Sequence, residues 1–229
     1  MTIHVAKSAG FCFGVDRAVQ MVFRLLDEGK QVYTLGPIIH NPQIVQELEE
    51  RGVRIVDTPA EVPPDGTLVI RSHGVARAVQ EDISGRGLEC ADATCPFVRK
   101  IHKIVSRACE AGQTVLIAGD ASHPEIEGVI GYCTAPPYVF RNAAELRDLL
   151  EKHPEFSNQK VCVIAQTTFS LEEWGNCLQI LKKVCTNADV FATICNATVQ
   201  RQSEASDLAQ KSDFCLLYTS DAADDLLCV

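Results

Sequence analysis

Three cysteines carry the strongest chemical signal in this chain. Cys12 lies in Gly10-Phe11-Cys12-Phe13-Gly14-Val15-Asp16, Cys95 in Asp92-Ala93-Thr94-Cys95-Pro96, and Cys195 in Thr193-Ile194-Cys195-Asn196-Ala197-Thr198. Each stands just before an apolar pattern at helical spacing, such as Val98, Ile101, Ile104, Val105 and Ala108 after Cys95. Pro96 suits a first helical position, because its missing N–H has no intrahelical partner there. A cysteine in that place faces free backbone N–H groups and the positive end of the helix dipole. That setting is expected to lower the thiol pKa and favour the thiolate, the form that binds metal or attacks an electrophile. One such cysteine is more often an inert core residue. Three in the same context suggest thiolates that meet at a shared centre.

The segments downstream of the cysteines repeat one another. Gly36 and His40 stand 24 and 28 residues past Cys12, and Gly119 and His123 stand 24 and 28 residues past Cys95. Each lobe therefore reads cysteine, helix, short apolar strand, Gly-x-x-x-His loop, which is an internal repeat. Further along each lobe an apolar strand ends in an equivalent polar turn, Ser72-His73-Gly74 in the first and Gln166-Thr167-Thr168 in the second.

The elements that would position these residues are legible as periodicities. Strands are expected at 3–7, 31–35, 53–56, 68–71, 114–118, 138–140, 161–165 and 213–217, with helices at 15–28, 43–51, 97–111, 143–152 and 171–185. A helix after Gly74 and a short one through Ile126 and Ile130 complete the alternation. Such alternation predicts an α/β fold of small, mostly parallel sheets with sites at the strand ends. The lobes divide at 13–95 and 96–194, and residues 1–12 with 195–216 form part of a third. There the repeat asks for a glycine at 219 and a polar loop residue at 223, but the chain has Thr219 and Ala223. Residues 217–229 fit nothing in the pattern and read as a non-native tail, so the third lobe is expected to be incomplete.

Composition limits the partners. At 229 residues the chain can bury a core, and its net charge of −9 argues against nucleic-acid binding. Apolar runs such as Val161–Ala165 are far too short to span a bilayer, and no signal peptide is evident at the start. A cytoplasmic, thiol-reducing setting is expected. Of the eleven cysteines, Cys90, Cys109, Cys133, Cys162, Cys177 and Cys185 lie in or beside apolar segments and read as small core residues.

Three thiolates without close pairs such as C-x-x-C are a weak zinc signal. They suit an iron–sulfur cubane that leaves one iron open to substrate, with helix N-termini stabilising the anionic cluster. His40, His73 and His123, each in a strand-end loop, suggest a shared ligand, and an anion such as phosphate fits them. Glu125 in His123-Pro124-Glu125 reads either as an enclosed, protonated acid or as a first-turn helix residue favoured by the dipole. Thr167 and Thr168 read either as a proton relay or as caps of the helix at 171–185.

These motifs, with Gly10 to Ala18, Ile39-His40-Asn41, Ser72-His73-Gly74, His123-Pro124-Glu125, Gln166-Thr167-Thr168 and Cys195 to Thr198 in order, resemble the 4-hydroxy-3-methylbut-2-enyl diphosphate reductase family as far as about Asp213. The resemblance implies a trefoil of three α/β lobes around a 4Fe–4S cluster ligated by Cys12, Cys95 and Cys195. It implies reductive removal of an allylic hydroxyl as water, the last step of the methylerythritol phosphate route, giving isopentenyl and dimethylallyl diphosphate. His40, His73 and His123 would hold the diphosphate, Glu125 would deliver the proton with Thr167 in the relay, and Thr168 would lie close to the substrate. Ferredoxin or flavodoxin would supply electrons. The family's later Gly-Gly loop, Ser-Ser-Asn motif and further serine are not in this sequence, so weak or no turnover is expected. Two rivals from other classes are a non-catalytic zinc-binding or metal-storage protein on the same cysteines and a dithiol oxidoreductase. The second lacks the neighbouring cysteine it needs.

Overall fold

A computed structural model describes residues 2–215. The first lobe contains α1 (Phe13–Asp27), β1 (Val32–Leu35), α2 (Pro42–Glu50), β2 (Arg54–Val56), β3 (Thr67–Ile70), α3 (Arg77–Gly85) and β4 (Glu89–Asp92). The second contains α4 (Pro96–Glu110), β5 (Thr114–Ala118), α5 (Pro124–Ile130), β6 (Tyr138–Phe140), α6 (Ala143–Lys152), β7 (Val161–Ala165), α7 (Leu171–Val184) and β8 (Ala188–Val190). Helix α8 (Asn196–Ala209) follows.

The strands form two four-stranded parallel sheets with the same order, β2-β1-β3-β4 and β6-β5-β7-β8. Both faces of each sheet are covered, which is why the central strands are continuous apolar runs rather than alternating ones. The alternation survives in where the side chains go. Leu116, Ala118, Val161, Val163 and Ala165 pack with α6 and α7 on one face of the second sheet. Val115, Ile117, Cys162 and Ile164 pack with α4 and α5 on the other. In the first sheet Val69 joins the α1 side, while Leu68 and Ile70 face α3.

In each sheet the chain leaves the central strand in one direction and returns on its other side. That switch point lies between β1 and β3, and between β5 and β7. Loops diverge there at the carboxyl ends of the strands and leave a crevice. The loop after β1 carries His40, that after β3 His73, that after β5 His123, and that after β7 Thr168. Gly36 has φ of +69°, and a Cβ there would come within 2.9 Å of the Arg71 guanidinium. At Gly119 a Cβ would come within 2.9 Å of Gln166 Oε1. The repeated glycines thus let the next strand's terminal side chain cross over the loop.

Three sequence expectations change. Residues 3–6 form no strand, and Ile3 and Val5 are exposed. Among the described residues no strand lies beside them to complete a ladder, and an apolar pattern alone cannot make one. Strands β4 and β8 were not expected. Each is a short, half-exposed edge strand (Glu89-Cys90-Ala91-Asp92 and Ala188-Asp189-Val190) without the apolar run that marks the central ones. The strand expected at 213–217 is not formed over 213–215, and its remainder, with Thr219, Ala223 and the whole of the 217–229 tail, lies outside the described residues.

Candidate active site

Cys12, Cys95 and Cys195 are the N-cap residues of α1, α4 and α8. All three line one cleft, with His73, His123, Glu125, Thr167 and Thr168. The residue three positions past each cysteine (Val15, Val98 and Thr198) is buried and lines the same cleft. A Cβ added to Gly14 would lie 2.6 Å from Cys95 Sγ and 4.0 Å from Cys12 Sγ. The absent side chain at Gly14 is therefore what lets two sulfurs face one point.

The approach of each cysteine is braced by another element. Arg17 on α1 donates to the carbonyls of Asp92, Ala93 and Thr94, just before Cys95. Arg201 on α8 donates to the carbonyls of Ser8 and Gly10, just before Cys12. Glu204 accepts from the backbone N–H groups of Lys7 (2.6 Å) and Ser8 (2.8 Å), so α8 and the N-terminal segment form one unit. The N–H of Cys95 donates to Ser72 O and that of Cys195 to Thr167 O, both at 2.9 Å. Each strand-end turn therefore tethers the cysteine that opens the following lobe.

The expected lowering of the thiol pKa is not what Cys95 shows. Burial raises it above its ordinary value. The first-turn N–H groups of Phe97 and Val98 pull it back, while Cys12 and Cys195 push it up again. Removal from water outweighs the first-turn N–H groups, and the two neighbouring sulfurs add to it. A cation that takes the place of the protons removes the conflict. The core cysteines have no such remedy. Burial pushes Cys162 to about 12 and Cys177 to about 11, so both stay thiols.

The three histidines come together from three loops. Ring centroids are 4.6 Å apart for His40 and His73, 5.7 Å for His40 and His123, and 5.4 Å for His73 and His123. One nitrogen from each lies within 4.8 Å of the others, close enough to share one anion or one metal ion. His123 caps α5: its Nδ1 accepts the Glu125 N–H at 3.1 Å. In the neutral ring this leaves the proton on Nε2, a donor suited to a phosphate oxygen.

Glu125 is 2% exposed. Its Oε1 accepts the Thr167 N–H at 2.8 Å, and its Oε2 lies 2.5 Å from Thr167 Oγ1. Glu125 sits in the first turn of α5, as one sequence reading had it, and is also enclosed against a hydroxyl. Thr167 and Thr168 do not cap α7, whose N-cap is Ser170 with its Oγ accepting the Glu173 N–H. Thr168 Oγ1 instead accepts from Gln166 Nε2 at 3.0 Å, and Gln166 Oε1 accepts the Asp120 N–H, joining this turn to the His123 loop.

The donor set fits an iron–sulfur cluster. Three soft sulfurs face one space, three helix N-termini converge on it, and Gly14 leaves the volume clear. Two doubly wound parallel sheets thus bring three helix-capping cysteines and three clustered histidines to their strand ends, the layout of an α/β protein with a cysteine-lined cleft. Residues 3–225 match the LytB protein family, and the chain belongs to that family. The 4-hydroxy-3-methylbut-2-enyl diphosphate reductase of Geotalea uraniireducens (strain Rf4) is 45% identical over 213 residues, spanning 93% of this chain and 73% of that protein. Its namesake in Caldanaerobacter subterraneus subsp. tengcongensis is 40% identical over 217 residues, with the same two shares. A solved (E)-4-hydroxy-3-methyl-but-2-enyl diphosphate reductase, titled the terminal enzyme of the non-mevalonate pathway, superposes with a TM-score of 0.74. It is 37% identical and covers 92% of this chain and 74% of its own. The E-1-hydroxy-2-methyl-but-2-enyl-4-diphosphate reductase of Plasmodium falciparum gives a TM-score of 0.86 at 26% identity, over 94% and 68%.

Proposed function

We propose that this chain is an iron–sulfur reductase that converts 4-hydroxy-3-methylbut-2-enyl diphosphate into isopentenyl and dimethylallyl diphosphate, with Cys12, Cys95 and Cys195 holding a 4Fe–4S cluster. The observation that carries this reading is one cleft shared by three helix-capping cysteines and the enclosed Glu125–Thr167 pair. The relatives' names and their 93% coverage of this chain support the same substrate.

The reaction breaks the allylic C–O bond and forms one C–H bond. It consumes two electrons and two protons and releases water. When bound, the cluster supplies the electrons and the Lewis acidity needed to remove the hydroxyl. His40, His73 and His123 hold the diphosphate through ring N–H groups, and the cap on His123 fixes which nitrogen donates. Thr168, tied by Gln166, borders the substrate. A protonated Glu125 passes its proton to Thr167 Oγ1, which hands its own to the substrate side, a relay that needs the close contact between them. Burial of Glu125 keeps water from competing. A ferredoxin or flavodoxin delivers the electrons. The cytoplasm is the compartment, which suits ten free cysteines among the described residues. No helix among those residues is long and apolar enough to cross a membrane.

The test is product formation from the diphosphate with a chemical reductant. The parent is expected to turn over weakly, and Glu125→Gln, which keeps the shape of the pair but removes its acid, is expected to lower that rate by about 10²–10⁴-fold while bound iron stays unchanged. Equal turnover in the variant would remove Glu125 from the proton path. Zinc bound in place of iron and sulfide in the parent chain would favour the metal-storage reading.

A further inference from the structure

The three positions that lie three residues past the cysteines are Val15, Val98 and Thr198, all buried and all on the cleft. Valine and threonine have nearly the same shape, so the third corner differs from the other two by one hydroxyl. That hydroxyl is placed between two acceptors. Thr198 Oγ1 lies 3.0 Å from Thr167 O, to which it donates, and 3.2 Å from Cys195 Sγ. The Thr198 N–H also donates to the same sulfur at 3.4 Å. While Cys195 is a thiol, its S–H can donate to Thr198 Oγ1, and the threonine proton goes to the Thr167 carbonyl.

We infer that Thr198 is a positioning residue of the third cysteine: once Cys195 is a thiolate ligand, the Thr198 hydroxyl turns from the Thr167 carbonyl to the sulfur and raises the reduction potential of the group held there. The inference rests on the reading that the three cysteines hold a cluster. An anionic sulfur outcompetes a neutral carbonyl for one proton, because a charge-assisted hydrogen bond is roughly twice as strong as a neutral one. Thr167 O is not left bare when the hydroxyl turns, since the Cys195 N–H still donates to it at 2.9 Å. The rotation therefore exchanges a weak bond for a strong one and leaves no buried acceptor unsatisfied. A hydrogen bond to a ligand sulfur withdraws negative charge and makes the reduced state easier to reach, one of the levers that set cluster potentials.

The test is the midpoint potential of the reconstituted cluster, read by electron paramagnetic resonance during a redox titration. Thr198→Val makes this corner match the other two and is expected to shift the potential to more negative values. Thr198→Ser keeps the hydroxyl and is expected to stay at the parent value. A purely packing role gives the reverse order, since valine keeps the volume and serine loses the methyl group. A parent-like potential in Thr198→Val, or a shift of equal size in Thr198→Ser, would overturn the inference. If Thr198→Val folds poorly, Thr198→Ala removes the same donor without the second methyl. Loss of the cluster in both with retention in Thr198→Ser supports the hydroxyl's role, and equal loss in all three refutes it. A parent chain that takes up no iron and sulfide removes the cluster reading itself and this inference with it. A loaded parent with an unmoved potential removes only the inference.

Discussion

At the Cys95 corner, the cysteine N–H is held by Ser72 O, and the residue one turn on is Val98. At the Cys195 corner, the N–H is held by Thr167 O, and that residue is Thr198. The backbone plan is the same, yet the side chains diverge. Ser72 Oγ is buried without a hydrogen-bond partner among the described residues, whereas Thr167 Oγ1 meets Glu125. Behind the Cys95 corner, a Cβ on Gly74 would come within 2.8 Å of the His102 ring, which stacks on Tyr132. A duplicated scaffold thus supplies a capping cysteine at both corners but a carboxyl–hydroxyl pair at only one. The repeat fixes where the sulfurs go, and a few polar exchanges make the two sides of the cleft chemically different.

The largest expected effect comes from filling the space both corners share. Gly14→Ala puts a methyl group 2.6 Å from Cys95 Sγ, so the variant should lose most of its iron. The chain itself should fold with a loss of about 1–3 kcal/mol at most, because Cys95 must shift to admit the methyl group. Iron content and a thermal melt separate the two outcomes. Full loading in this variant would mean that Cys95 does not face the shared centre.

A smaller effect belongs to the Cys95 corner alone. Burial pushes the His102 imidazole down to about 4 from its ordinary 6.5. The unfolded chain takes up that proton below 6.5 and the folded chain only below about 4. The stability held by neutral His102 is therefore complete above 6.5 and is lost as pH falls through that window, by about 3 kcal/mol in all. Denaturant midpoints followed from pH 7 to pH 4 should show this slope, and His102→Gln should flatten it. An unchanged slope in the variant would assign the loss to other groups.

Much of this was legible in the chain. The matched offsets of Gly36 and Gly119, and of His40 and His123, located the loops because a duplicated strand-loop unit must place equivalent residues at equivalent strand ends. Long apolar strands and amphipathic helices were found within a few residues. Short edge strands were not, because β4 and β8 owe their pairing to a neighbour rather than to their own side chains. The strand expected at 3–7 failed for the opposite reason, having the pattern but no partner. Arg17 and Arg201 were missed as braces, since a charged helix residue carries no sign of which distant carbonyl it will meet. Thr198 had a signal that was available: Val15 and Val98 occupy its place in the other two lobes. The direction of the Cys95 shift was misread because the dipole is visible in a sequence, whereas the burial that raises it, with the two neighbouring sulfurs adding to it, appears only once the chain is folded.

The central claim is that cysteines at helix mouths, and not those in the core, converge on one metal group. It is tested most directly by iron and acid-labile sulfide per chain after anaerobic reconstitution, in the parent, in Cys95→Ser and in Cys177→Ser. The account expects about four of each in the parent, the same in Cys177→Ser, and loss of both in Cys95→Ser. Cluster content that survives Cys95→Ser, or that falls equally in Cys177→Ser, would contradict it.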